Sequence, residues 1–177
     1  MLSLCVSLLV CAVTVAASPG VAWSDAAVPP GYVRVAHVHA VPPPLLYAIA
    51  CAESRRRLPD GTVRPWPWTL NVAGRGQFYA SRRAAHQALI KALRAGTNVD
   101  IGLAQINWRW HHALLGNPWQ ALDPYLNLHA AGHLLRAHYQ RVGDWWLAVG
   151  QYHAPAPAAM ARRAHYREQV GTCLRPG

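Results

Sequence analysis

Apolar residues spaced three and four apart alternate along this chain with short breaks containing Pro, Gly and Asp, the pattern of helices that each bury one face. Pro42-Pro43-Pro44 suits a helix start, because the first turn leaves its amides unpaired anyway. That helix is predicted over 43–57, stopping at the turn sequence Pro59-Asp60-Gly61. Residues 62–80 hold Trp66, Trp68, Asn71, Gly74 and Gly76 and read as a loop or short hairpin. Ser81 caps a second helix with Ala85, Ala88, Leu89, Ala92 and Leu93 on one side and Gly96 just beyond its end. Asp100 is read as the cap of a third helix over 101–115. Asp123-Pro124 opens a fourth, Tyr125 to Tyr139, with Leu128, Ala131, Leu134, Leu135 and His138 as its buried side. Asp144 opens a fifth carrying Trp145, Trp146 and Val149, and a last helix is expected over 157–171. Residues 18–41 are expected to be an irregular lead-in and 172–177 a C-terminal tail. Strand signals are sparse, so the class is mainly α.

One residue stands out against this pattern. In the first helix Leu46, Ile49, Ala50 and Glu53 fall on one face, so a carboxylate continues an apolar stripe. A carboxyl group among apolar neighbours ionises less readily, which moves it toward the range of a general acid. The local pattern equally permits a helix-end glutamate turned to solvent beside Arg55, Arg56 and Arg57.

Composition then narrows the setting. Residues 1–17 carry no charged side chain, and Val15-Ala16-Ala17 before Ser18 has the form of a cleavage site, so a secretory signal is expected. No Lys or Arg precedes the apolar run, so a start further upstream or an uncleaved membrane anchor also fits. The remaining length suits one domain with a real core. Two cysteines, Cys51 and Cys173, lie beyond the signal, and an oxidising compartment would permit them to pair. The formal charge is +10, which favours an acidic partner. The arginines are dispersed and no nucleic-acid motif is present, so an exported chain is expected to meet the cell wall rather than nucleic acid. The ten His residues show no His-Glu-x-x-His spacing, and neither metal nor cofactor is expected.

Glycoside hydrolysis usually takes two carboxylates. The chain has seven Asp and Glu residues in all. Asp100, Asp123 and Asp144 are assigned to caps, Asp60 to a turn, Asp25 to the lead-in and Glu168 to a solvent face. Only Glu53 is left for chemistry.

Four segments then resemble one family. Ala50-Cys51-Ala52-Glu53-Ser54 is similar to a Glu-Ser motif. Asp100-Ile101-Gly102-Leu103-Ala104-Gln105-Ile106-Asn107 is similar to a Gly-Leu-Met-Gln-Ile-Asn motif, with Ala104 for Met. Leu122-Asp123-Pro124-Tyr125-Leu126-Asn127-Leu128 resembles an Asp-Pro-x-x-Asn-Ile stretch, and Ala148 to Ala154 an Ala-Tyr-Asn-Ala-Gly segment. In this order they resemble the lytic transglycosylases of the soluble-lytic-transglycosylase type, whose core is similar to goose-type lysozyme. The domain would span residues 42–171. The wide gap between Glu53 and Gly102 looks most like the small members that accompany secretion and conjugation machines.

The resemblance implies a periplasmic enzyme that cuts between N-acetylmuramic acid and N-acetylglucosamine in peptidoglycan strands. Glu53 would protonate the bridging oxygen and then help the muramic 6-hydroxyl attack C1, giving a 1,6-anhydro sugar. Ser54, Gln105, Asn107 and Tyr152 would bind substrate or orient the acid. Partners would be glycan strands and components of a secretion or conjugation machine, with membrane contact only through an uncleaved signal. His153 replaces the usual Asn and Pro155 the usual Gly, which puts the shape of the loop after Tyr152 in question. A hydrolytic muramidase with a second carboxylate, a degenerate wall-binding protein and a basic nucleic-acid binder are the rival readings.

Overall fold

The computed structural model describes residues 28–156 and 158–174, so the expected export segment 1–17 lies outside the described residues. The first element contradicts an expectation. Part of the lead-in, Pro30–Val38, is a helix, α1, which buries Val35 and Ala36 in the core. Its start follows the same logic as the next: a proline at the first helical position costs no hydrogen bond.

Helix α2, Pro43–Ser54, runs through the centre of the molecule. Leu45, Leu46, Ala48, Ile49 and Ala50 are fully buried. Burying one such Leu or Ile contributes about 1.5–3 kcal/mol. The helix ends three residues earlier than expected. Arg55 takes an extended conformation and starts strand β1, Arg55–Arg57, which pairs antiparallel with β2, Val63–Pro65. Arg56 lies over the Trp66 ring, 4.8 Å from its centroid.

The stretch read as a loop or short hairpin is a hairpin of β3, Thr69–Val72, and β4, Arg75–Phe78. Helix α3, Arg82–Arg94, begins as expected, with the Ser81 hydroxyl accepting from the Ala84 amide. It buries Ala85, Leu89 and Ala92.

The largest correction concerns Asp100. It caps no helix but sits in the middle of β5, Val99–Ile101, which pairs with β3 and with β6, Ile106–Asn107. Val99 and Ile101 are buried and Asp100 lies between them, so the local period is two, not 3.6. The turn that follows has positive φ at Gly102 (82°) and Gln105 (47°), which stops a helix from forming there. Helix α4, Trp108–Leu115, begins only afterwards and is kinked at His111. The four strands lie in the order β4-β3-β5-β6. Their register sets Asn71 opposite Asp100, and Asp100 opposite Asn107, making one polar row across three strands. The neighbouring row, Leu70 opposite Ile101 opposite Ile106, faces the core.

Three helices close the domain. α5, Pro124–Val142, is capped by the Asp123 carboxylate, which accepts from the Tyr125 and Leu126 amides. α6, Trp145–His153, is capped by Asp144 accepting from the Leu147 amide. α7, Met160–Leu174, starts later than expected and runs into the expected tail. α7 packs along α2 and α6, while α1 and α5 cover the rest of α2. The mainly α class therefore stands, with two small sheets added. Among the described residues no single helix is long and apolar enough to cross a membrane.

Candidate active site

A groove of about 680 Å³ runs between the strands and the helices α4, α5 and α6. Glu53, Gln105, Asn107 and Tyr152 all line it, although they come from the end of α2, a turn, β6 and α6. The sequence also singled out Ser54, and that residue does not line the groove. It is 1 % exposed, and its hydroxyl donates to Ala50 O at 2.9 Å and Leu103 O at 2.8 Å. Ser54 therefore bolts the helix that carries Glu53 to the turn that carries Gln105.

The Glu53 side chain is 15 % exposed, with the helix behind it and the groove in front. His153 Nδ1 lies 3.7 Å from Glu53 Oε1. The His153 ring stacks on Tyr166 of α7, with centroids 4.3 Å apart and planes 8° from parallel. The Tyr166 hydroxyl is buried and makes no well-formed hydrogen bond. Burial first, and the neighbouring Glu53 carboxylate second, push its phenol well above the usual range, so it stays protonated as a potential donor beside Glu53.

Tyr152, expected to orient Glu53 or the substrate, lines the groove beside Glu53. Its hydroxyl donates to Ala104 O at 2.8 Å. Burial, with Glu53 and Asp100 close by, keeps this phenol protonated as well. The Gln105 amide nitrogen donates to Gly102 O at 2.8 Å and Thr69 O at 3.3 Å. That tie holds the residue in its positive-φ conformation.

The turn itself is locked from below. Asn127, buried in α5, accepts from the Ala104 amide at 2.9 Å and donates to Ile101 O at 2.8 Å. A Cβ on Gly102 would lie 2.6 Å from the Asn127 side chain, so only glycine fits both the space and the φ of 82°. The two sequence segments that contain Gly102 and Asn127 thus form one physical unit.

The strand wall was mostly missed by the sequence reading. Asn107 Nδ2 donates to Asp100 Oδ1 at 2.6 Å, and Asn71 Nδ2 to Asp100 Oδ2 at 3.2 Å. The amide oxygens of Asn71 and Asn107 are buried at the groove with no hydrogen-bond partner among the described residues. Such atoms call for a donor from elsewhere. Burial raises the Asp100 carboxyl above the usual range; the Asn107 hydrogen bond opposes this, Glu53 adds to it and His153 offsets it. The signal that would have found Asp100 was the apolar pair Val99 and Ile101 flanking it, a strand period.

The departures after Tyr152 produce a defined loop. Arg163 donates to the carbonyls of Ala154, Pro155 and Ala156 at 2.8–2.9 Å. Pro155 and His153 both line the groove. At its rim stand two exposed aromatic rings, Trp110 (74 %) and Phe78 (45 %). Trp66 and Trp68 pack on each other, and Trp108 packs on the core.

Residues 79–170 match the family model for the Transglycosylase SLT domain, just over half of the chain. The chain belongs to that family. Its members are lytic transglycosylases that act on peptidoglycan, typically outside the cytoplasm. No curated protein and no solved structure matches the chain. The matched segment contains Asp100, Gln105, Asn107, Tyr152, His153 and Tyr166, whereas Glu53, Ser54 and Asn71 precede it.

Proposed function

We propose that this SLT-domain protein is a peptidoglycan lytic transglycosylase in which Glu53 is the acid and base. One observation supports this most: a single restricted carboxyl from α2 opens into the same groove as Gln105, Asn107 and Tyr152. The Glu53 proton passes to the oxygen between N-acetylmuramic acid C1 and N-acetylglucosamine C4 as the C1–O bond breaks. The bond pair stays on that oxygen. The muramic 6-hydroxyl then attacks C1, and its proton returns to the Glu53 carboxylate. The product is a 1,6-anhydro end, and no water is consumed. Gln105, its amide nitrogen held by the backbone, meets the sugar through its amide oxygen. Asn107 offers a buried acceptor, and Trp110 and Phe78 present apolar faces to the C–H faces of sugar rings. Ser54 is reassigned from substrate binding to holding Glu53 in place.

The domain boundaries at 42 and 171 are widened by this reading to include α1 and the end of α7, which pack on the same core. We place the protein in the periplasm, where it opens the wall locally for a secretion or conjugation apparatus. The support for that role is the resemblance to the small members of the family.

The test is digestion of purified sacculi by wild type and Glu53→Gln, with products read by mass spectrometry. Wild type is expected to release fragments ending in anhydro sugars, one water lighter than reducing ends, and Glu53→Gln to release none. Equal release by the variant sinks the assignment of Glu53. One observation favours a second reading, hydrolysis by water: Asp100 shares the groove with Glu53. Reducing ends in the products would establish it.

A further inference from the structure

We propose that Asp100 is a second catalytic carboxylate, whose negative charge stabilises the positive charge that develops at the sugar C1 as Glu53 protonates the bridging oxygen. This inference rests on the glycan-cleaving reading above and goes beyond its single carboxylate.

The placement is the first argument. Asp100 projects from the middle strand of the polar row into the groove that Glu53 enters from the helical side. Breaking a glycosidic bond leaves an oxocarbenium-like centre, and a fixed negative charge nearby lowers that barrier without moving any proton. The acid work belongs to Glu53, so the two carboxylates do not compete for one task.

The partners are the second argument. A carboxylate kept only for structure usually sits beside a cation, and the chain has 16 arginines to choose from. Among the described residues Asp100 forms no ion pair; the two pairs present are Arg82 with Asp123 and His153 with Glu53. Its two oxygens are held by neutral amides instead, Asn107 at 2.6 Å and Asn71 at 3.2 Å. Amide donors fix the orientation of the carboxylate and, through Asn107, oppose the effect of burial, yet carry no positive charge to cancel its own. The field of Asp100 therefore reaches the groove.

The experiment compares wild type, Asp100→Asn and Asp100→Glu in three measurements: turnover of sacculi, thermal midpoint, and binding of two probes. One probe is a protonated acetamido imino sugar, cationic at the ring; the other is a neutral chitooligosaccharide. Asp100→Asn is expected to lower kcat roughly 100- to 1,000-fold with KM little changed, as for removal of one transition-state stabiliser. It should lose the preference for the cationic probe while keeping its affinity for the neutral one. Asp100→Glu should keep that preference, which decides the matter if the Asn variant fails to fold. Undiminished turnover and cation preference in Asp100→Asn overturn the proposal, as does an equal loss of both probes with a fallen midpoint. If wild type releases no product, yet Asp100→Asn still loses the cation preference, the transglycosylase reading fails and the charge at Asp100 stands.

Discussion

The groove has two walls, and different physics sets the side that each turns toward it. The helical wall is held by apolar burial. Glu53 rides at the end of a helix whose Leu45, Leu46, Ile49 and Ala50 are fully buried. The strand wall also buries an apolar row, Leu70, Ile101 and Ile106, but its groove side is set by polar contacts: Asn71, Asp100 and Asn107 in one row, and the Gly102–Gln105 turn pinned by Asn127 and Ser54. Apolar packing is non-directional, so it fixes where Glu53 stands but gives it few partners. Hydrogen bonds are directional, so the strand wall presents donors, acceptors and a charge at set positions. Both walls are anchored in the one core, and the strand wall adds a row of polar groups facing the groove.

The comparison is broken most severely at Glu53. Glu53→Gln should cut turnover at least about 1,000-fold, within the range for losing a general acid and base. Its thermal midpoint should move by a few degrees at most, because the apolar face of α2 is untouched. Next comes the turn. Asn127→Ala leaves the Ala104 amide and the Ile101 carbonyl buried without their partner. That should cost about 3 kcal/mol, near the sum for two unsatisfied groups, and urea unfolding measures it. A loss below about 1 kcal/mol would mean that the turn holds itself.

A third test sharpens the picture of the helical wall. The thiols of Cys51 on α2 and Cys173 on α7 are near enough to influence each other's ionisation. That influence, aided by Arg55 and opposed by burial, draws Cys173 down to about 7, while Cys51 is pushed up. A thiolate at Cys173 is the form that attacks a disulfide oxidant. Treatment with oxidised glutathione should join the two sulfurs, with the two electrons and two protons leaving on two molecules of the reduced thiol. The protein mass should fall by two hydrogens and stability should rise by about 2–4 kcal/mol. Two thiols still free to react after denaturation would refute the pairing. The smallest effect is at the rim. Trp110→Ala should weaken glycan binding by about 1 kcal/mol, and leave stability within about 0.5 kcal/mol because the ring is exposed. Unchanged affinity for chitooligosaccharides would remove Trp110 from the site.

What was legible in the chain follows the same division. Periodicity of 3.6, capping residues and proline starts determined α2, α3, α5 and α6, because helices are local and each signal acts within a turn or two of itself. They also marked Glu53 as an acid on an apolar face. Pairing between distant strands decided the rest. Asp100 read alone is a good helix cap; only its alignment with Asn71, 29 positions earlier, and with Asn107 makes it part of a groove. His153 and Tyr166 meet Glu53 because α6 and α7 fold back onto α2, a contact no local pattern records. The residue types and helix faces were written in the sequence. Which polar groups share a groove was settled by tertiary packing, since strand register and helix docking join residues that are far apart along the chain.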